Sequence, residues 1–316
     1  MPVCVCTDPA LSRYNFGEDH PFGPQRFEAF RSAFVEQGLE PACRIFSAVQ
    51  APESKLEYFH TRDYVERVRH ASLQGSGALD WGDTPVYPGV YEAAATVVGT
   101  TLRAVELIMR GECRRAFTPI AGLHHARRDC AAGFCVFNDC GIAIEVLRRD
   151  YGLRRIAYVD IDAHHGDGVF YSFDADPDVI FADLHEDGNY LYPGTGEAGE
   201  TGRDRAVGTK LNVPMPMGAG DAAFDKAWAR AEAFVRDARP EFILLQCGAD
   251  SLHGDPITHM AYSQYAHARA TASLCEIADS CCGGRLLAMG GGGYNLENIA
   301  AAWTAVVGTL VEHEPG

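Results

Sequence analysis

Short apolar runs rich in β-branched residues alternate along the chain with longer amphipathic stretches, the pattern of strands and helices taking turns in a parallel sheet. The strand-like runs are residues 155–159, 179–182, 242–246 and 286–289. Between and around them, the spacing predicts helices over residues 90–109, 138–149, 222–238, 263–278 and 295–311. Crossovers of that length put helices on both faces of the sheet, so the expected class is α/β.

The first ninety residues are less regular. Pro21, Gly23, Pro24, Gly75, Gly77, Gly82, Pro85, Pro88 and Gly89 punctuate them into loops around two short helices, which reads as a rim rather than a second domain. No repeat or linker interrupts the chain, and one domain over residues 1–316 is expected.

The polar residues that break the pattern fall in four places, each just after a predicted strand: residues 160–168, 183–192, 248–255 and 290–294. In open α/β sheets the carboxyl ends of the strands are where ligands bind.

Composition narrows the partners. A formal net charge of −16 repels phosphate backbones and anionic lipid surfaces, so neither nucleic acid nor membrane is expected as a partner. The same field favours a cationic substrate, although acidity can also serve solubility alone. The eleven cysteines form no C-x-x-C pair, which fits neither a disulfide framework nor a thiolate metal cluster. With no leader-like N-terminus and no apolar run of about 18 residues, a cytoplasmic location is expected.

The segment Asp160-Ile161-Asp162-Ala163-His164-His165-Gly166-Asp167-Gly168 is the most informative, because it crowds three carboxylates and two imidazoles into eight residues. Like charges held together at a strand end raise one another's pKa, and a divalent cation removes the problem. Alternation along an extended segment would let Asp162 and His164 point the same way. A catalytic zinc site wants about three protein ligands and an open position, and Asp250, after the run 242–246, is the candidate third ligand. Taken alone, Asp250 could equally be an exposed loop carboxylate.

His124 and His125 follow the apolar run 117–120, and such a pair can act as general base and acid. An isolated His-His pair is more often structural, but beside a metal site the catalytic reading gains. Asp160 and Asp167 remain to orient the two rings. Phe134, after Gly133, has two readings: a core residue before a helix capped by Asn138 or Asp139, or one wall of a substrate channel. Tyr192 is a second wall candidate. Gly290-Gly291-Gly292-Gly293-Tyr294 lacks the spacing of a phosphate or dinucleotide loop. It would instead let Tyr294 approach the metal and donate to a developing oxyanion.

These motifs together resemble the zinc-dependent histone deacetylase family, in particular its bacterial members grouped with acetoin-utilisation proteins and class II-like deacetylases. The resemblance runs from His20-Pro21-Phe22-Gly23-Pro24-Gln25-Arg26 to Gly290 and Asn295, essentially the whole chain. It implies an arginase-like three-layer α/β/α sandwich with a mostly parallel sheet. Zinc, or ferrous iron in its place, would be held by Asp162, His164 and Asp250, with His125 the base. Phe134, Tyr192, Gly133 and Gly292 would flank an acyl-lysine tunnel, with Asp83 at its rim. A potassium ion would lie beneath, held by Asp160, Asp162, His164, Asp183 and Leu184. Two departures stand out: Asp183 replaces a common serine, and Ile257 is apolar where polyamine-selective relatives tend to carry an acid.

The expected activity is therefore metal-dependent hydrolysis of an acyl-lysine amide in a peptide or protein. Hydrolysis of a small acylated amine such as an acetylpolyamine is the near alternative, and a two-metal ureohydrolase is a further one from the same fold. A binding protein for acyl-lysine without turnover is the alternative of another class. Oligomeric state is not legible in the chain.

Overall fold

Apolar runs become strands here because a parallel strand covered by helices on both faces has no solvent side to keep polar. The computed structural model describes residues 1–314. In the first half of the chain the elements are β1 (Val3–Cys6), α1 (Gln25–Glu36), β2 (Cys43–Phe46), α2 (Glu53–Leu56), α3 (Arg62–Gln74), α4 (Val90–Met109), β3 (Arg115–Thr118) and α5 (Asp139–Arg149). They continue with β4 (Ile156–Asp160), α6 (Asp167–Phe173), β5 (Val179–Glu186), β6 (Lys210–Met215) and α7 (Asp221–Ala238). The chain closes with β7 (Phe242–Gln246), α8 (Gln264–Cys282), β8 (Leu286–Met289) and α9 (Leu296–Glu312).

All eight strands belong to one sheet in the order β2-β1-β3-β8-β7-β4-β5-β6, and every pairing is parallel. Helices α4 and α5 pack together, with α4 also against β1, β3 and β8; α1 and α8 pack on α9, and α7 on α8, β5 and β6. The result is the expected three-layer α/β/α arrangement, with the core between sheet and helices. Strands β3, β4, β5, β7 and β8 are buried at every position.

The expected helices are present to within a few residues at either end. Asn138, Ser263 and Asn295 lie at their starts because each side chain accepts a hydrogen bond from an otherwise unpaired N–H of the first turn. The reading of the first ninety residues as a rim needs correction. They supply β1 and β2, which extend the sheet, and helices of 12 and 13 residues. Four-residue strands such as Val3-Cys4-Val5-Cys6 are too short to show a period of their own, and their burial comes from neighbours distant in sequence. Strand β6 escapes notice for a different reason: Lys210 and Pro214 interrupt its apolar run, and burial of Lys210 is compensated by the carbonyls of Asp176 and Val179.

What positions the site is the register. Thr118, Met289, Gln246, Asp160 and Asp183 pair across β3, β8, β7, β4 and β5 as one level row at the carboxyl end. The loops after β3, β8, β7 and β4 start from this row, whereas β5 runs on to Glu186, so Asp183 to Glu186 belong to the strand and not, as expected, to the segment after it. All eleven cysteines are free. Among the described residues no helix is long and apolar enough to cross a membrane.

Candidate active site

The loop after β4 does not continue as a strand, so Asp162 and His164 do not converge by the alternation expected of one. A turn does the work instead: the Asp162 Oδ1 accepts from the His164 backbone N–H at 3.0 Å and lies 3.1 Å from that residue's Nδ1. Asp250 follows β7, the immediate neighbour of β4, and its Oδ2 lies 3.1 Å from the same Nδ1. One imidazole nitrogen and two carboxylate oxygens thus lie within 4.8 Å of one another, all buried.

Several groups hold this trio. The Ala163 N–H donates to the Asp250 Oδ1 at 2.9 Å, and the Gly292 N–H and the Gln246 Nε2 donate to the Asp162 Oδ2 at 2.8 and 2.7 Å. Glycine is required at 292: a Cβ there would sit 2.1 Å from the Asp250 Oδ2. At Gly248 a Cβ would sit 2.0 Å from the Asp162 Oδ2.

The electrostatics point the same way. Burial, and then the charge of Asp162, push Asp250 up to about 7. Burial disfavours a charged His164, but its bonds to Asp162 and Asp250 prevail and raise the ring to about 10. A proton therefore occupies the place between three ligand atoms that suit a divalent ion. One nitrogen and two oxygens fit zinc or ferrous iron, and binding either would displace that proton.

His124 and His125 follow β3, where the Asp139 carboxylate gathers the N–H groups of Gly122 and Leu123 and fixes the turn. The two rings face each other with their Nε2 atoms 3.1 Å apart. The Nδ1 of His124 lies 2.8 Å from Asp160 and that of His125 lies 2.7 Å from Asp167. Burial and then the neighbouring His124 pull His125 down to about 4, against the Asp167 carboxylate, so near neutral pH its ring is an uncharged proton acceptor.

A cavity of about 250 Å³ leads to these groups. His125, His164 and Tyr294 line its buried part, Gly133, Phe134 and Tyr192 its walls, and Asp83, Leu191 and Ile257 its more open end. Tyr192 packs edge-on to His125 with centroids 5.1 Å apart, and Phe134 packs likewise on Tyr294 at 5.8 Å. The two readings of the 133–139 segment turn out compatible: Asn138 caps α5 and Phe134 faces the cavity. Burial, followed by the charges of Asp250 and Asp162, raises the Tyr294 phenol well above its ordinary range, so it keeps its proton to donate.

The residues expected around potassium lie on two adjacent strands: Asp160 ends β4 with Asp162 and His164 in the loop after it, and Asp183 and Leu184 lie within β5. Burial, then Asp183 and Asp162, push Asp160 well above the usual carboxylate range, a crowding a cation would relieve. Asp183 already accepts from the Gly166 N–H at 2.9 Å and pairs with the His185 ring at 2.8 Å.

Sequence reasoning missed four supports. Gln246 bonds Asp162 and, through its Oε1, the Gly248 N–H. The Tyr158 hydroxyl donates to Asp160 at 2.6 Å, Arg127 pairs with Asp167 at 3.0 Å, and Arg26 donates to the carbonyls of Gly291 and Gly293. The available signal was a polar residue closing or interrupting an otherwise apolar strand, as Gln246 and Tyr158 do.

Comparison with known proteins agrees with this geometry. Residues 20–310 match the histone deacetylase domain. The chain is 34% identical over 320 residues to the acetoin utilization protein AcuC of Bacillus subtilis (strain 168), covering 98% of this chain and 82% of that one. With the protein of the same name from Staphylococcus aureus (strain MSSA476) the identity is 32% over 311 residues, covering 96% and 80%. The crystal structure of the HDA15 HD domain superposes with a TM-score of 0.90 at 27% identity, over 100% of this chain and 91% of that one. A buried Asp-His-Asp trio at the foot of an aromatic-walled cavity is thus met in a chain whose whole length aligns with deacetylases: it belongs to the histone deacetylase family and is a hydrolase of the deacetylase type.

Proposed function

We propose that the chain removes acyl groups, acetyl foremost, from the ε-amine of lysine in peptides or proteins. The observation that carries this reading is the cavity: about 250 Å³, walled by Phe134 and Tyr192, and ending on His125, His164 and Tyr294. Such a slot suits an extended aliphatic chain that presents its amide at the buried end. The apolar Ile257 at the open end favours a lysine side chain over a free polyamine, whose second amine would have to be desolvated there.

Asp162, His164 and Asp250 are the residues to hold zinc, with ferrous iron the alternative. Bound there, the ion supplies Lewis acidity to the amide carbonyl and to water. His125, uncharged near neutrality, takes the proton of the attacking water, and Asp167 keeps its ring in the accepting orientation. As the C–N bond breaks, that proton passes to the departing amine, and the acyl carbon keeps the hydroxyl as a carboxylic acid. His124, held by Asp160, faces His125 and shares the proton. The Tyr294 hydroxyl donates to the carbonyl oxygen as it gains charge. Asp83 at the rim would accept from the substrate backbone. Asp160, Asp162, His164, Asp183 and Leu184 are the residues to hold a potassium ion, which would supply charge balance beneath the trio.

The test is a panel of acylated lysine peptides and acetylputrescine given to the metal-loaded protein, with bound metal counted per chain. Turnover of acetyl-lysine peptides, one catalytic ion per chain and loss of turnover on chelation are expected. Preference for acetylputrescine would move the assignment to small acylated amines. Tight peptide binding without hydrolysis would make the chain a binding protein.

A further inference from the structure

Of the three tryptophans, Trp228 and Trp303 are 1% and 0% exposed, whereas Trp81 is 105% exposed. A single exposed apolar side chain is ordinary on a surface, but an indole held out on a fixed loop beside a substrate cavity offers its whole face to a ligand. Trp81 does not sit on a loose tip. Asp80 accepts from the N–H groups of Gly82 and Thr84 at 3.0 and 2.9 Å, and Leu79 donates to the Thr84 carbonyl at 2.9 Å. The buried Thr84 hydroxyl in turn accepts from the Phe134 N–H at 3.2 Å, and the His20 ring bonds the Asp83 carbonyl at 3.2 Å. The loop is therefore tied to the cavity wall on one side and to residue 20 on the other. Trp81 stands two residues from Asp83, which lines the cavity's open end.

A cavity of about 250 Å³ has room for one side chain, so whatever meets Trp81 must be a part of the substrate that stays outside. The surroundings select its charge. Segments 15–24 and 76–89 contain Glu18, Asp19, Asp80 and Asp83 and no lysine or arginine, in a chain of net charge −16. We propose that Trp81, with the acids beside it, is a subsite for a lysine or arginine lying near the acyl-lysine in a polypeptide substrate. This rests on the acyl-lysine reading above and narrows its substrate class to cationic polypeptide segments. A guanidinium or ammonium stacked on the indole face is attracted by the ring and by the flanking carboxylates.

Trp81 also supplies its own reporter, since the other two indoles are buried. Three substrates separate the outcomes: acetyl-lysine amide, a peptide with arginine flanking the acetyl-lysine, and the same peptide with glutamate there. The wild type is expected to show a lower KM for the arginine peptide than for the glutamate peptide. Trp81→Ala should raise the KM of the arginine peptide by about twofold to tenfold and move that of acetyl-lysine amide by less than about twofold, with kcat steady. Adding the arginine peptide should change tryptophan emission in the wild type and not in Trp81→Phe. Equal KM for the two peptides, or an equal effect of Trp81→Ala on all three substrates, overturns the subsite. So does a dimer in sedimentation that Trp81→Ala converts to monomer. Failure of the acyl-lysine reading looks different: no turnover of any of the three, with the emission titration still reporting whether the arginine peptide binds at Trp81.

Discussion

Two His-Asp pairs, one residue apart on the same turn, have opposite surroundings. His124 and Asp160 lie beneath the cavity, where the carboxylate accepts from Tyr158 and the Asp162 N–H and has Asp183 as a charged neighbour. His125 lines the cavity, and the buried Asp167 behind it shares its second oxygen with Arg127, whose side chain is half exposed. The same chemical pair thus lies beneath the cavity in one place and reaches its lining through the imidazole in the other. Neighbouring groups make that difference, since both pairs are buried and have nearly the same hydrogen-bond length.

The comparison breaks most sharply on the histidines themselves. His125→Ala should lower kcat/KM by about 10³-fold, within the range expected for loss of a general base, and His124→Ala by less. Steady-state rates of the two metal-loaded variants decide it, and equal losses would mean that the pair acts as one unit. Tyr294→Phe comes next, at about 10² in kcat if the phenol is the oxyanion donor. Near-normal turnover would remove Tyr294 from the mechanism.

The carboxylates sharpen the contrast in stability. Asp160 accepts from Tyr158, His124 and the Asp162 N–H, so Asp160→Asn leaves a buried donor unsatisfied and should cost about 1–3 kcal/mol. Asp167→Asn also strands the His125 ring donor, but the half-exposed Arg127 on its other oxygen can turn to water, so it should cost less than Asp160→Asn. Denaturant unfolding of the two variants measures both.

The smallest effect is on pH dependence. The folded pKa of His125 is about 4, below the 6.5 of an unperturbed ring. Its contribution to stability is therefore present above pH 6.5 and lost as the pH falls through about 4, and the acid limb of kcat/KM follows the same group. Arg127→Gln removes a positive charge that offsets Asp167, leaving the carboxylate freer to favour a protonated His125. The acid limb should move to higher pH, by less than about one unit. A move to lower pH would contradict the assigned pairing.

His60, His165 and His267 are buried and depressed in the same direction, to about 3, 4 and 4. Together with His125 they act in the same direction, so stability should fall as the pH drops below 6.5. Thermal melts between pH 7 and 5 check the sign.

Local pattern was enough to determine the five long helices after residue 90, four of the strands and the residue types at the candidate site. Periodicity and capping are short-range physics, and so many metal-capable groups crowded into one segment are hard to explain any other way. It did not reveal β1, β2, β3 or β6, whose burial depends on neighbours far along the chain. Nor did it show that strands entering at residues 115, 286, 242, 156 and 179 would lie side by side in that order. Only that packing brings Asp250 against His164, Gly292 against Asp162, and Gln246 between Asp162 and the turn before His124. The sequence names candidate ligands and bases. Their spacing to a few tenths of an ångström belongs to the register of five parallel strands, because hydrogen bonding across a sheet fixes the level at which each loop begins.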